Sequence, residues 1–293
     1  MMNKLIHPTK ALPVLAMTAG VLAVYPRLVC RRYRILSRRI HTPFRLAVLS
    51  DLHASWYGAG QTELLRRLVK EQPDGVLLAG DMGPDWRPAD NLRELLLSLS
   101  NRYPLFYVSG NHEMRSGRIR SVKTLMSEFG VSVLEGDTRI LRKGTERIQI
   151  CGVDDPEVDF FFSGSSWMQQ LHSCSDAREE EIFSVLLSHR PELFSFYAKE
   201  NFDLVVCGHA HGGQVRIPGL LNGLYAPNQG FFPSHAGGVY RKGNTAMIVS
   251  RGLAKNCIPR ICNPPEFVVI DILPVPERMF LAQRTGEVVD SLL

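Results

Sequence analysis

The sequence predicts an α/β fold, and three observations carry that reading. Apolar runs of strand length stop at polar turns containing Asp51, Asp81 and Asn111. Those three residues stand 30 apart, about the length of one βαβ unit. Leucines at helical spacing fill the intervals: Leu64, Leu65 and Leu68, then Leu92, Leu95, Leu96 and Leu99. With 293 residues, 45% hydrophobic and 22% charged, the chain has the composition of a folded globular protein and not of a disordered or collagen-like one.

The first element in chain order is an uncharged, mostly apolar stretch over residues 11–26, ALPVLAMTAGVLAVYP. Its sixteen residues make about 24 Å of helix. A bilayer core is about 30 Å thick, so a span requires Arg27 to snorkel and residues 28–30 to extend the run. We read residues 1–40 as an uncleaved N-terminal hydrophobic anchor helix with a basic flank, and residues 41–293 as the folded domain. An interfacial or cleaved segment is the alternative. Six arginines follow the run, from Arg27 to Arg39, against Lys4 and Lys10 before it. That bias places the folded domain on the cytoplasmic side of a membrane.

Charge supports the same division. Residues 1–45 carry nine basic side chains and no acid, which leaves 25 basic against 29 acidic residues in the remainder. The net +5 is therefore entirely N-terminal, which suits a membrane surface and argues against a nucleic-acid partner. The six cysteines form no CxxC pair, and Cys151 and Cys207 sit inside apolar runs as buried thiols.

Strands are expected over residues 44–50, 75–79 and 105–109, with helices over 61–71 and 91–99 between them. The second half is richer in strands, at residues 131–134, 139–141, 148–152, 183–188, 203–207, 247–249 and 267–272. A helix with proline in its first turn is expected over residues 191–199. The Gly- and Pro-rich residues 212–238 read as a long surface loop, the kind that often carries function.

Five polar segments each follow an apolar run: Asp51-Leu52-His53, Gly80-Asp81, Gly110-Asn111-His112-Glu113, Ser188-His189 and Gly208-His209-Ala210-His211. In open α/β sheets, ligands collect at the carboxyl ends of strands. Asp51 and His53 are two apart, so both point one way on leaving a strand and can bind one ion, and His209 and His211 repeat that geometry. Carboxylate, amide oxygen and imidazole together suit Mn, Fe or Zn. Two aspartates, an asparagine and four histidines are too many for one tetrahedral ion and enough for two if a carboxylate bridges.

The ordered set DLH, GD, GNHE, SHR and GHAH resembles the calcineurin-like metallophosphoesterases over roughly residues 44–273. The longer strings SHRPE, CGHAHGGQVRIPG, LYAPNQGFFP and VSRGL resemble its bacterial YaeI/YkuE-type phosphodiesterase branch, related to UDP-2,3-diacylglucosamine hydrolase. The resemblance implies a four-layer αββα sandwich of two mixed β-sheets flanked by helices. It implies two divalent ions (Mn, Fe or Zn), one held by Asp51, His53 and His211, the other by Asn111, His189 and His209, with Asp81 bridging. It makes His112 the catalytic imidazole, in the hydrolysis of a phosphodiester or pyrophosphate bond by metal-activated hydroxide. The chain departs from the pattern after Gly80-Asp81, which continues Met-Gly-Pro-Asp-Trp, and it lacks the twin arginine of some exported relatives.

Other positions read two ways. Arg190 is either a substrate-phosphate contact or part of an ion pair. Asp154 and Asp155 support ligands or form a turn, and Glu113 orients a histidine or caps a helix. Residues 160–162 (FFF) and Phe231-Phe232 are either core or a contact for an acyl chain or membrane. The expected partner is a phosphoester substrate, with a lipid A precursor as the alternative to an unspecified diester. A non-catalytic binding protein of the same fold is the rival of another class, and the presence of both Asp81 and His112 speaks against it.

Overall fold

The computed structural model describes residue 24 and residues 27–83, 89–161, 166–255 and 260–276. Of the apolar residues 11–26 expected as an anchor, all but residue 24 lie outside the described residues. No helix among the described residues is long and apolar enough to cross a membrane.

Fourteen strands are described. In chain order they are β1 (Val29–Ser37), β2 (Phe44–Leu49), β3 (Gly75–Ala79), β4 (Leu105–Val108), β5 (Ser132–Val133), β6 (Asp137–Lys143) and β7 (Glu146–Gly152). β8 (Phe183–Leu187), β9 (Leu204–Cys207), β10 (Tyr225–Ala226), β11 (Gly230–Phe231), β12 (Gly238–Lys242), β13 (Thr245–Val249) and β14 (Glu266–Pro274) follow. They form two six-stranded sheets, ordered β1-β14-β2-β3-β4-β5 and β12-β13-β9-β8-β7-β6, and a small β10-β11 hairpin. Both sheets are mixed. β2 to β5 run parallel with β14 antiparallel to β2, and β7, β8, β9 and β13 run parallel between antiparallel edges.

Side-chain alternation sorts each strand between two cores. Leu46, Val48, Leu77, Phe106, Val268 and Ile270 face Ile148, Ile150, Val185, Leu187, Val206 and Ile248 across the space between the sheets. The other face of the first sheet packs against helices Thr62–Glu71, Asp90–Leu99 and Ile119–Glu128. The other face of the second packs against Trp167–Asp176 and Phe194–Tyr197. Three apolar layers between four layers of structure give the expected αββα sandwich.

The basic flank is corrected. Residues 29–37 are not a tether ahead of the domain; they pair in parallel with β14 from Val29↔Glu266 to Ser37↔Pro274. Leu28 and Ile35 are buried, while Arg31, Arg32 and Arg34 are exposed. Arg32 reaches Glu71, and Arg31 lies 3.8 Å from Glu266. The folded domain therefore begins near residue 28 rather than at 41. The helices Ile119–Glu128 and Trp167–Asp176 also went unread. The second carries a local signal, a capping box in which Ser166 accepts from the Gln169 N–H.

A chain truncated to begin at residue 41 is expected to be about 3–6 kcal/mol less stable to denaturant than one beginning at residue 27, from the lost burial of Leu28 and Ile35 alone. Equal unfolding midpoints would contradict the placement of β1.

Candidate metal centre

β2, β3, β4, β8 and β9 all end at one edge of the sandwich, and the five polar segments lie on the turns that follow them. The structure brings the expected ligands together. Ligand atoms of Asp51, His53 and His211 lie within 4.8 Å of one another, and so do those of Asp81, His189 and His209. A third group, His53, Asp81 and His112, joins the two. Asn111 opens the short helix Asn111–Arg115 beside His112.

The turns differ from the extended geometry expected. Asp51, His53, Asp81, His209 and His211 have φ of 52°, 47°, 53°, 70° and 47°. They are left-handed, a region that costs non-glycine residues about 1–3 kcal/mol each. The two-residue spacing brings ligands together through tight turns, not through strand alternation. Side chains hold those turns closed. Asn91 Nδ2 donates to the His53 carbonyl at 2.7 Å, and Asn263 Nδ2 to the His211 carbonyl at 2.7 Å. Glu113 accepts from four backbone N–H groups, those of Asp81 (2.9 Å), Met82 (2.6 Å), Gly83 (3.1 Å) and Gly110 (2.9 Å). It is a clasp between the β3 and β4 turns as well as a helix cap. Gly110 lies so close to Asp81 that a Cβ there would come within 2.1 Å of Asp81 Oδ1.

Asp81 sits at the junction. Its Oδ1 accepts from the His112 backbone N–H at 2.9 Å. Its Oδ2 lies 3.2 Å from His189 Nε2 and 3.8 Å from His53 Nε2. His189 donates from Nδ1 to the Ala79 carbonyl at 2.7 Å, which leaves Nε2 facing the Asp81 carboxylate. Asp81 Oδ2, His189 Nε2 and Asn111 Oδ1 are buried and make no hydrogen bond. Three buried polar atoms without partners are costly in an apolar fold and natural in a cation site.

The electrostatics agree. Burial, opposed by His189, raises the Asp51 carboxyl, and the charge of Asp81 adds to the rise. Burial also works against the charge of Asp81, yet His189, His53 and His112 hold it well below the usual carboxylate range. Burial disfavours a charged His189, but the two carboxylates overcome it and push that imidazole up to about 10. The pocket demands positive charge. Burial, with the positive neighbours His189 and Arg190, keeps His209 well below its ordinary value; burial and Arg260 do the same for His211. Neutral imidazoles are what metal ligation needs.

Of the two readings of Arg190, the structure favours the ion pair. Arg190 is 3% exposed, and its five N–H donors reach Asp155 twice, Glu157, Glu192 and Asn228. Asn228 in turn accepts at Oδ1 from His209 Nε2 at 2.9 Å, which leaves the Nδ1 lone pair of His209 for a cation. The chain Asp155–Arg190–Asn228–His209 orients a candidate ligand from behind. Asn228 was missed because its contact is made across 19 residues of loop. Its one local sign is a left-handed φ of 60°. Arg260, whose Nη2 lies 3.3 Å from His211 Nδ1, was missed as well. Asp154 ties Lys123, Ser109 and Gln170 together and touches no ligand directly.

Comparison with known proteins agrees with this geometry. The profile described as calcineurin-like phosphoesterase matches residues 44–213. The chain is 23% identical over 240 residues to Phosphodiesterase YaeI of Escherichia coli, covering 79% of this chain and 83% of that one. It is 26% identical over 237 residues to the uncharacterized metallophosphoesterase YkuE of Bacillus subtilis, covering 78% and 79%. A Bos taurus relative, the transmembrane protein with metallophosphoesterase domain, is 27% identical over 232 residues; the match covers 73% of this chain and 49% of that one.

Two outcomes are expected at the supporting residues. Glu113→Gln places an amide N–H₂ against backbone donors and is expected to lower stability by about 1–3 kcal/mol, read by thermal or denaturant unfolding. Asn228→Ala frees the His209 ring and is expected to weaken metal affinity about 10–100-fold, read by titration with a fluorescent chelator in competition. Wild-type values in either case would remove the residue from the account.

Proposed function

The chain belongs to the calcineurin-like phosphoesterase family, and on that premise we propose that it is a two-metal phosphodiesterase attached to a membrane. The observation that carries the two-metal reading is Asp81 Oδ2, which faces ligand nitrogens from both groups. Asp51, His53 and His211 would hold one ion, Asn111, His189 and His209 the other, and Asp81 both. The ions supply charge neutralisation at the phosphate and a water of lowered pKa. Mn, Fe and Zn all suit this mixture of carboxylate, amide and imidazole.

The chain's own residues do the rest. His112 is half-buried, and its ring stands 4.7 Å from that of His53, edge to face. Its backbone N–H is tied to Asp81, so the imidazole is positioned relative to the bridging carboxylate. There it gives a proton to the departing oxygen of the ester as the P–O bond breaks. Glu113 and Gly110 hold the β3 and β4 turns close enough for this placement. A diester is the favoured substrate class because the Escherichia coli relative bears the name phosphodiesterase.

Membrane attachment rests on the uncharged residues 11–26, and the name of the Bos taurus relative is consistent with it. The six arginines from Arg27 to Arg39 favour the cytoplasmic side. Nucleic acid is disfavoured by the acidic balance of residues 46–293.

Full-length protein stripped of metal is expected to lose hydrolysis of bis-p-nitrophenyl phosphate and regain it with Mn²⁺, whereas Asp81→Asn stays inactive. His112→Ala is expected to keep its metal but to turn over about 10²–10⁴-fold more slowly. Wild-type turnover in His112→Ala would refute the proton-donor role.

A further inference from the structure

Among the described residues, the four most exposed large apolar side chains are Phe160 (85%), Leu220 (82%), Phe231 (70%) and Phe232 (69%). Scattered exposed apolar residues are ordinary in a soluble protein. These four are not scattered. Phe160 lies on the segment leaving the carboxyl end of β7, which runs parallel to β8 and its ligand His189. Leu220, Phe231 and Phe232 lie between His211 and β12, whose first residue, Gly238, pairs with the carboxyl end of β13. All four therefore stand on segments that leave the edge holding the candidate metal ligands, Phe160 in the short helix Val158–Phe161 and Phe231 in β11. Being exposed, they are not core.

The N-terminus enters at the same edge. β1 begins at Val29, opposite Glu266 at the start of β14. β14 runs antiparallel to β2, so its start lies at the end of β2 that leads to Asp51. Three Cα steps separate Pro26, the last residue of the apolar run, from Val29, a reach of about 10 Å. Cations lie along this edge as well. Arg27 is exposed, and Arg31 and Arg216 stand close enough for their charges to repel. Lys255 donates to the Trp56 carbonyl on the turn after His53. Aromatic and aliphatic side chains rimmed by arginine and lysine fit an anionic lipid surface.

We propose that this edge docks on a lipid bilayer, with Phe160, Leu220, Phe231 and Phe232 in the headgroup–acyl boundary and the metal pocket opening onto the interface. The substrate class that follows is an amphiphilic phosphoester whose apolar part stays in the membrane while its phosphate reaches the pocket. This second statement rests on the two-metal reading; the docking does not. A protein anchored only by a tether would leave its catalytic face free to turn, whereas here the entry point of the chain and the apolar rim fix the same face toward the lipid.

The test uses the full chain in vesicles of phosphatidylcholine and phosphatidylglycerol. Phe231→Trp is compared with Leu97→Trp, an exposed position near the carboxyl end of the helix Asp90–Leu99, which leads toward the opposite edge. With lipids brominated in the acyl chain, the added emission is expected to be blue-shifted and quenched at position 231 and unchanged at 97. Unquenched emission at 231 in membrane-bound protein overturns the docking. An emission shift at 231 that follows protein concentration and ignores bromination assigns the edge to a second copy of the chain and overturns it too. Leu220→Asp with Phe231→Asp is expected to lose hydrolysis of an acyl-chain phosphodiester held in the vesicles while keeping hydrolysis of bis-p-nitrophenyl phosphate. Equal loss on both substrates overturns the proposed substrate class. Hydrolysis of the soluble diester by the wild type separates the two claims: its absence beside a quenched Trp at 231 would sink the two-metal reading and leave the docking standing.

Discussion

Asp51 and Asp81 are buried in one pocket, and among the described residues their close charged partners are histidines rather than any lysine or arginine. Two buried carboxylates at short range repel each other and lose the solvation of water. The surrounding imidazoles cannot all compensate by protonation, because His209 and His211 are held neutral by burial and by the positive groups beside them. This imbalance organises the site. It explains why Asp81 Oδ2, His189 Nε2 and Asn111 Oδ1 are left without hydrogen-bond partners, and it calls for divalent cations in that space.

The backbone bears a second cost. Five of the seven candidate ligand residues sit at left-handed φ, and such strain persists only where the surroundings over-determine it. Here the surroundings are specific. Glu113 clasps two turns through four N–H groups, Asn91 and Asn263 hold the His53 and His211 carbonyls, and glycine at 110 permits the closest approach. Behind them, the inter-sheet core fixes the strand ends from which the turns depart. The fold's stability and the site's geometry are thus one problem, solved at a single edge.

Much of this was legible in the sequence. β3 was read at its observed bounds, and the strands leading to Asp51, Asn111, His189 and His209 within a residue or two, because each is a buried apolar run stopped by a polar turn. The polar segments were legible for the same reason, and the structure gathers their candidate ligands at one edge. What escaped was non-local or masked by charge. β1 is an edge strand whose exposed arginines hid the inward Ile35, so it read as a flank. Asn228 reaches His209 only after a long loop folds back. Arg190 read two ways because the sequence cannot show that Asp155, Glu157, Glu192 and Asn228 use all five of its donors.

The central claim is that one carboxylate, Asp81, is shared by two cations. Electron paramagnetic resonance during titration of the metal-free chain with Mn²⁺ tests it most directly. The account predicts two ions per chain and the spectrum of an exchange-coupled pair, as expected for ions about 3.5–4 Å apart. Saturation at one ion, or two ions giving only the signal of isolated Mn²⁺, would contradict it.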